Sequence, residues 1–99
     1  MRHYRYVIDQ LSVSGQTMSD VGGSVIVAEF EGRNGIDWEL VCRTSSDTEI
    51  EMAAHTLEMA GPEGPLSGPA VLVRSDGTSH VFRGAGKLVG FDGFPFDHI

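Results

Sequence analysis

Cysteine and basic residues are scarce in this sequence. The 99 residues include one cysteine, and seven lysines and arginines against fourteen acidic residues, for a net charge of −7. A single cysteine excludes an intramolecular disulfide framework and the cysteine clusters of structural zinc sites. The shortage of basic residues argues against binding to nucleic acid, whose phosphates are neutralised mainly by lysine and arginine.

Long hydrophobic runs and the common catalytic motifs are absent as well. No stretch approaches the ~20 apolar residues that cross a bilayer, and no apolar region of a secretory signal follows the basic residues of segment 1–6. We therefore predict a cytoplasmic protein that does not contact a membrane. The sequence contains no G-x-S-x-G, Walker A or H-E-x-x-H motif, so we expect no cofactor and no metal site and favour a non-enzymatic protein over an enzyme.

Length and glycine content indicate the fold class. A chain of 99 residues that is 40% apolar can bury one modest core, so we predict a single domain over 1–99. Thirteen glycines and four prolines divide the chain into short apolar runs, which is typical of strands joined by turns. We predict a mainly antiparallel β fold of five or six strands, curved into a small sandwich or a partly open barrel. The strands are expected within 3–13, 23–31, 36–44, 69–75 and 78–91.

One segment has two interpretations. A helix near 47–60 is favoured because Ser46 and Glu49 fit a capping box at its start. Its apolar positions follow helical spacing, at Ile50, Ala53, Ala54 and Leu57. In the alternative, 48–59 is a strand paired with the preceding strand, which makes the fold an all-β barrel. In both versions the stretch 61–69, rich in glycine and proline, is a loop.

The first predicted hairpin gathers acidic residues on one face. A three-residue loop ending in glycine would place Phe30 opposite Trp38. The other face would then carry four carboxylates, those of Glu29, Glu31, Asp37 and Glu39. Such an acidic face is either a solvated outer surface or a docking surface for a basic protein partner. A cation site is less favoured, because a flat strand face lacks the loop carbonyls that complete a calcium shell.

The second predicted hairpin directs a histidine inward. An Asp-Gly turn at 76–77 would pair Val73 with His80. Val71 would then face the same inner side. Glycines occupy the inward positions that follow, at Gly84, Gly86 and Gly90. They would let the strand bend sharply or let Trp38 pack close to the backbone.

A small-molecule pocket inside the curved sheet is the alternative site. It would be lined by Trp38, Leu40, Phe82 and His80. His80 is the candidate catalytic residue of such a pocket, as an acid or a base. A lone inward histidine is more often a hydrogen-bonded core residue, and Cys42 on the same inner side is expected to be a packed, unreactive thiol.

Three aromatic residues lie close together near the end of the sequence. Phe91, Phe94 and Phe96 either close one end of the core or form an exposed patch that self-associates or captures a partner. We predict a small acidic binding or regulatory protein that engages a protein partner through the acidic face or this aromatic tail. The alternative is a small-molecule-binding barrel with isomerase, cyclase or hydrolase chemistry. Uncovered strand edges are compatible with a homodimer.

Overall fold

The fold consists of one antiparallel sheet. The computed structural model describes residues 2–29, 35–45 and 49–91. These residues form eight strands and no helix: β1 (Arg2–Ile8), β2 (Gln10–Val13), β3 (Gln16–Thr17), β4 (Gly22–Glu29), β5 (Asp37–Arg43), β6 (Ala54–Gly61), β7 (Gly64–Asp76) and β8 (Ser79–Gly84). The strand order is β1-β4-β5-β8-β7-β6-β2-β3. The predicted antiparallel β class is confirmed, whereas the predicted count of five or six strands is too low.

The predicted helix near 47–60 is wrong. Residues 49–53 are irregular, and β6 follows them with buried Leu57 and Met59 alternating with exposed Thr56 and Glu58. That alternation is the period of a half-buried strand. β6 pairs with β7 on one side and with β2 on the other, so two ladders of backbone hydrogen bonds outweigh a weak helical preference. The alternative prediction, a strand over 48–59, is therefore closer to the structure. Its predicted pairing with the preceding strand is wrong, because β6 pairs with β2 and β7.

The stretch 61–69 is a hairpin and a strand, so its prediction as a loop is also wrong. β7 begins at Gly64 and includes Pro65 and Pro69. The backbone polar groups of residues 65, 67 and 69 are directed away from β6. Ser67 donates its N–H to the Val89 carbonyl, and the Pro69 carbonyl accepts from the Ala85 N–H. The prolines therefore remove N–H groups that the pairing with β6 does not need.

The predicted register of the first hairpin is wrong by three residues. β4 places Val27 opposite Trp38 and Val25 opposite Leu40. Val25 and Val27 are buried, while Ile26, which the predicted register turned inward, is exposed. β4 has apolar residues at both alternating positions, so alternation alone does not say which set faces the core. Phe30 lies outside the described residues.

The second hairpin turns one residue later than predicted. Asp76 pairs with Ser79 around Gly77 and Thr78, and the positive φ of 64° at Gly77 fits a type II′ turn. The register shifts again between Leu72 and Arg74. Val71 and Val73 therefore face outward, contrary to the prediction, and Leu72 faces inward. His80 does face the interior, as predicted.

The sheet curls so that the end of β1 comes against β6. β1, at one end of the strand order, continues through Asp9 into β2, which lies next to the other end. Asp9 donates its N–H to the carbonyl of Ala60 in β6. One residue further on, a Cβ atom placed on Gly61 would overlap the carbonyl oxygen of Val7. The hydroxyl of Tyr4 donates to Glu63 at 2.6 Å across the same junction.

Glycines make room for Trp38, as predicted. A Cβ atom on Gly84 would overlap the indole ring, and one on Gly68 would lie 3.0 Å from Trp38 Cζ2. The indole N–H donates to the carbonyl of Gly86 at 2.9 Å. The core around it is apolar and includes Ile8, Leu11, Val25, Leu40, Leu57, Leu72, Phe82 and Leu88. Within the described residues, no helix is long and apolar enough to span a membrane.

Candidate functional site

The four residues of the predicted pocket do come together on the inner face of the sheet. Leu40 lies directly opposite Phe82, and the exposed fractions of Trp38, Leu40, Phe82 and His80 are 3%, 0%, 0% and 0%. These side chains fill the interior by packing on one another and on the surrounding aliphatic core. His80 lines none of the surface depressions described in residues 2–29, 35–45 and 49–91.

His80 is held in the core by hydrogen bonds to two hydroxyl groups. Its Nδ1 lies 2.8 Å from Ser75 Oγ, and its Nε2 lies 3.4 Å from Thr44 Oγ1. Burial lowers the pKa of the imidazole below its ordinary value of 6.5, because the charged form loses its hydration. The ring is therefore neutral near pH 7. These contacts describe a hydrogen-bonded core histidine.

The buried imidazole makes stability depend on pH. Its pKa is lower in the folded chain than in the unfolded chain, so the unfolded state binds the extra proton more readily. We expect the stability that neutral His80 contributes to be complete above pH 6.5. It should be lost as pH falls towards the folded pKa, by at most about 1.4 kcal/mol per pH unit. Urea unfolding between pH 5 and pH 8 measures this slope.

Two substitutions isolate the contribution of His80 to that slope. His80→Gln removes the titration and should flatten the slope between pH 5 and pH 6.5 relative to the unmodified chain. His3→Gln changes an exposed histidine of β1 and should leave the slope as it was. An equal slope in the unmodified chain and in His80→Gln would contradict the assignment.

Cys42 faces His80 directly across β5 and β8. Burial raises the pKa of the Cys42 thiol to about 11 and lowers that of His80, so both groups stay neutral near pH 7. Nucleophilic cysteines need a thiolate, which a cationic or polar neighbour normally stabilises. This pair is part of the packed interior.

A serine and histidine pair was missed by sequence reasoning. Ser14 Oγ lies 2.8 Å from His55 Nδ1, and His55 Nε2 lies 2.7 Å from the carbonyl oxygen of Glu51. Since a carbonyl only accepts, Nε2 carries a proton, and in the neutral form of the ring the Ser14 hydroxyl donates to Nδ1. The two bonds tie the turn after β2 to β6 and to segment 49–53. None of the described depressions includes Ser14 or His55 among its lining residues.

The predicted acidic face is not formed by the residues that the structure describes. Glu29 pairs with Arg2 of β1, with Arg2 Nε 2.9 Å from Glu29 Oε1. It lies at the same alternating position of β4 as the buried valines, whereas Asp37 and Glu39 project from the opposite side of the sheet. Glu31 lies outside the described residues. The changed register of the hairpin is the reason for this separation.

The aromatic tail is described only at its first residue. Phe91 is partly buried, and its ring lies edge-on to that of Tyr6, with 6.3 Å between the ring centroids. It packs against the core, which is the first of the two predicted roles for this residue. Phe94 and Phe96 lie outside the described residues.

The outer face of the sheet was also missed by sequence reasoning. We use this term for the outward side chains of β1, β4, β5, β8 and β7. Its large aliphatic residues are well exposed to solvent, at 54% for Val7, 38% for Ile26, 40% for Val41, 37% for Val71 and 48% for Val73. The pairing register places Val7, Ser24, Val41, Val81 and Arg74 in one row across five strands. The three exposed valines of such a row cannot be grouped until the register is known.

The outer face also carries charges of both signs. Four of the seven basic residues of the chain project from it, namely Arg5, Arg43, Arg74 and Arg83, beside three acidic residues, Asp37, Glu39 and Asp76. Arg5 lies across the row of valines, because its Nε donates to Ser24 Oγ at 2.7 Å. In the next row, Ile26, Glu39, Arg83 and Val71 lie side by side. Apolar and charged side chains are thus interspersed across the centre of the face.

Neither the grouping of possible metal ligands in the described residues nor comparison with other proteins identifies a further site. Among the described residues, no group of three or more histidine, cysteine or acidic side chains lies close enough together to hold a metal ion. No protein family model, no curated protein and no solved structure matches this chain.

Proposed function

We propose that this chain is a non-enzymatic binding domain that engages a protein partner through its outer face. The observation that carries the proposal is the band of exposed aliphatic residues that runs over neighbouring strands, with Val7, Ile26, Val41 and Val71 all well exposed. Single exposed aliphatic residues are common on protein surfaces. A contiguous group of them, edged by polar residues, is a feature of interaction sites.

The chemistry of the outer face indicates the kind of partner. The centre of a protein interface is apolar, and its rim carries charges that align the two surfaces. A matching partner presents aliphatic side chains and has both carboxylate and guanidinium groups among them. This partner replaces the basic one expected from the sequence, because Glu29 lies on the opposite side of the sheet from Asp37 and Glu39.

The filled interior supports the binding function over small-molecule chemistry. A pocket of the predicted kind needs space beside His80, and His80 is fully buried between other side chains. The Cys42 thiol, with a pKa of about 11, offers no thiolate near pH 7. The cytoplasmic location remains a prediction of the sequence.

Site-specific photocrosslinking in the native host tests the function. A photoreactive phenylalanine derivative replaces Val71 on the outer face in one variant. In the control variant it replaces Val89, which is 56% exposed but lies outside the outer face. We expect a defined protein adduct from position 71 and none from position 89. Adducts from position 89 alone, or the same adducts from both positions, would contradict the proposal.

A further inference from the structure

We propose that the partner of the outer face is a second copy of this chain, packed face to face with β5 of one subunit over β8 of the other. The inference rests on the proposed function of the outer face and adds the identity of the partner. It follows from the pairing of β5 with β8, because that pairing makes the outer face complementary to itself about one axis.

The complementary residues of the two central strands, β5 and β8, are a charged pair and an apolar pair. Glu39 lies opposite Arg83, and Val41 lies opposite Val81. Consider a two-fold axis that lies in the interface, parallel to the strands and above the line between β5 and β8. Rotation about it lays β5 of one subunit over β8 of the other. It places Glu39 over Arg83 of the partner subunit, and Val41 over Val81 of the partner subunit. The contact is isologous, so each charged pair and each apolar pair occurs twice.

One row of the flanking strands also matches about this axis. β4 lies next to β5, and β7 lies next to β8. Ile26 pairs with Glu39 on one side, and Val71 pairs with Arg83 on the other. The axis therefore places Ile26 over Val71 of the partner subunit. Aligned packing of two sheets, with an angle of about 30° set by their twist, is a common arrangement of sheet faces.

Charge favours the approach of two copies through this face. Each chain carries a net charge of −7, so two copies repel each other over most of their surfaces. The outer face has four guanidinium groups against three carboxylates, which leaves it without net negative charge. Approach through this face replaces repulsion with pairing of opposite charges.

The curvature of the sheet limits the contact. The outer face lies on the outside of a curled sheet, so two such faces touch along their central strands. Interfaces of small area form weak or transient complexes. We expect a dimer in equilibrium with the monomer, and a mass that rises with protein concentration from 10.7 kDa towards twice that value.

Sedimentation equilibrium of the full chain over a wide concentration range tests the proposal. Glu39→Arg is the decisive variant, because it changes the net charge from −7 to −5 and so reduces general repulsion between copies. It also sets two arginines against each other at both charged contacts. We expect its association constant to fall about tenfold or more. Reversing both partners, Glu39→Arg with Arg83→Glu, should restore association.

Control variants separate a specific contact from a general effect of charge. Glu58→Arg makes the same change in net charge at an exposed position of β6, outside the outer face, and should leave association unchanged or slightly stronger. Circular dichroism and thermal melting of each variant confirm that the chain is folded. A monomer at all concentrations would overturn the proposal. Stronger association of Glu39→Arg, equal to that of Glu58→Arg, would overturn it as well.

The crosslinking experiment keeps the two proposals distinguishable. An adduct from position 71 at twice the chain mass supports both of them. An adduct of a different protein from position 71, together with a monomer in sedimentation, overturns the second copy as partner and leaves the binding function standing. Absence of any adduct from position 71, together with a monomer, overturns both.

Discussion

Gly61→Ala should destabilise the fold by about 3 kcal/mol, near the upper end for an added methyl group in a packed site. The added Cβ atom would overlap the carbonyl oxygen of Val7, where β6 meets β1. A backbone carbonyl cannot move aside as a flexible side chain can, so the two strands must separate. Separation also strains the neighbouring bond from the Asp9 N–H to the Ala60 carbonyl. Urea unfolding measures the loss, which is a large part of the 5–15 kcal/mol that stabilises a typical domain.

Gly22→Ala is the matched control for Gly61→Ala. Gly22 also lies in a strand, and a Cβ atom placed on it meets nothing within 4 Å. The substitution reduces the freedom of the unfolded chain and should be neutral or stabilising by up to about 1 kcal/mol. Equal stability of the two variants would show that β1 and β6 do not meet at Gly61.

Substitutions of Trp38 and Gly84 should reduce the free energy of unfolding by amounts that are not additive. Gly84→Ala would push a Cβ atom into the indole ring of Trp38, and we expect a cost of about 2–3 kcal/mol. Trp38→Leu leaves a cavity and an unpaired Gly86 carbonyl, so it should cost about 3 kcal/mol. In the Trp38→Leu background the clash disappears. Gly84→Ala should then cost at least about 1 kcal/mol less than it does in the unmodified chain.

A double-mutant cycle measured by urea unfolding gives this coupling directly. Gly23→Ala offers a comparison, because its added Cβ atom would meet Cys42 and the carbonyl oxygen of Val41 and not Trp38. Its cost should be the same with tryptophan or leucine at position 38. Additive costs for Gly84→Ala and Trp38→Leu would contradict the packing of the indole against Gly84.

The sequence predicted those features of the fold that depend on local composition. Short apolar runs between glycines indicated antiparallel strands, and the inward glycines after Phe82 indicated close packing of Trp38. The inward direction of His80 was also predicted correctly. Its partner on β7 was not, because the later turn moves that partner by two residues, from Val73 to Ser75, and the shift after Leu72 moves the pairing back by one residue.

Features that depend on pairing between distant segments could not be predicted. Segment 47–60 has a helical pattern and a strand pattern at once, and pairing with β2 and β7 decides between them. β4 is apolar at both alternating positions, so the acidic face depended on an undetermined register. Ser14 and His55 meet across 41 residues of sequence. Predicting the outer face would have required the pairing registers of all five of its strands.

The accessibility of methyl groups to a dissolved paramagnetic agent tests the outer face most directly. In dilute solution we expect fast relaxation of the Val41, Val71 and Val89 methyl groups and slow relaxation of those of Val25, which is fully buried. In concentrated solution Val41 and Val71 should become protected, while Val89 stays accessible. Slow relaxation of Val41 in dilute solution would contradict the exposed face on which the function rests. Unchanged relaxation of Val41 and Val71 on concentration would contradict the second copy as partner.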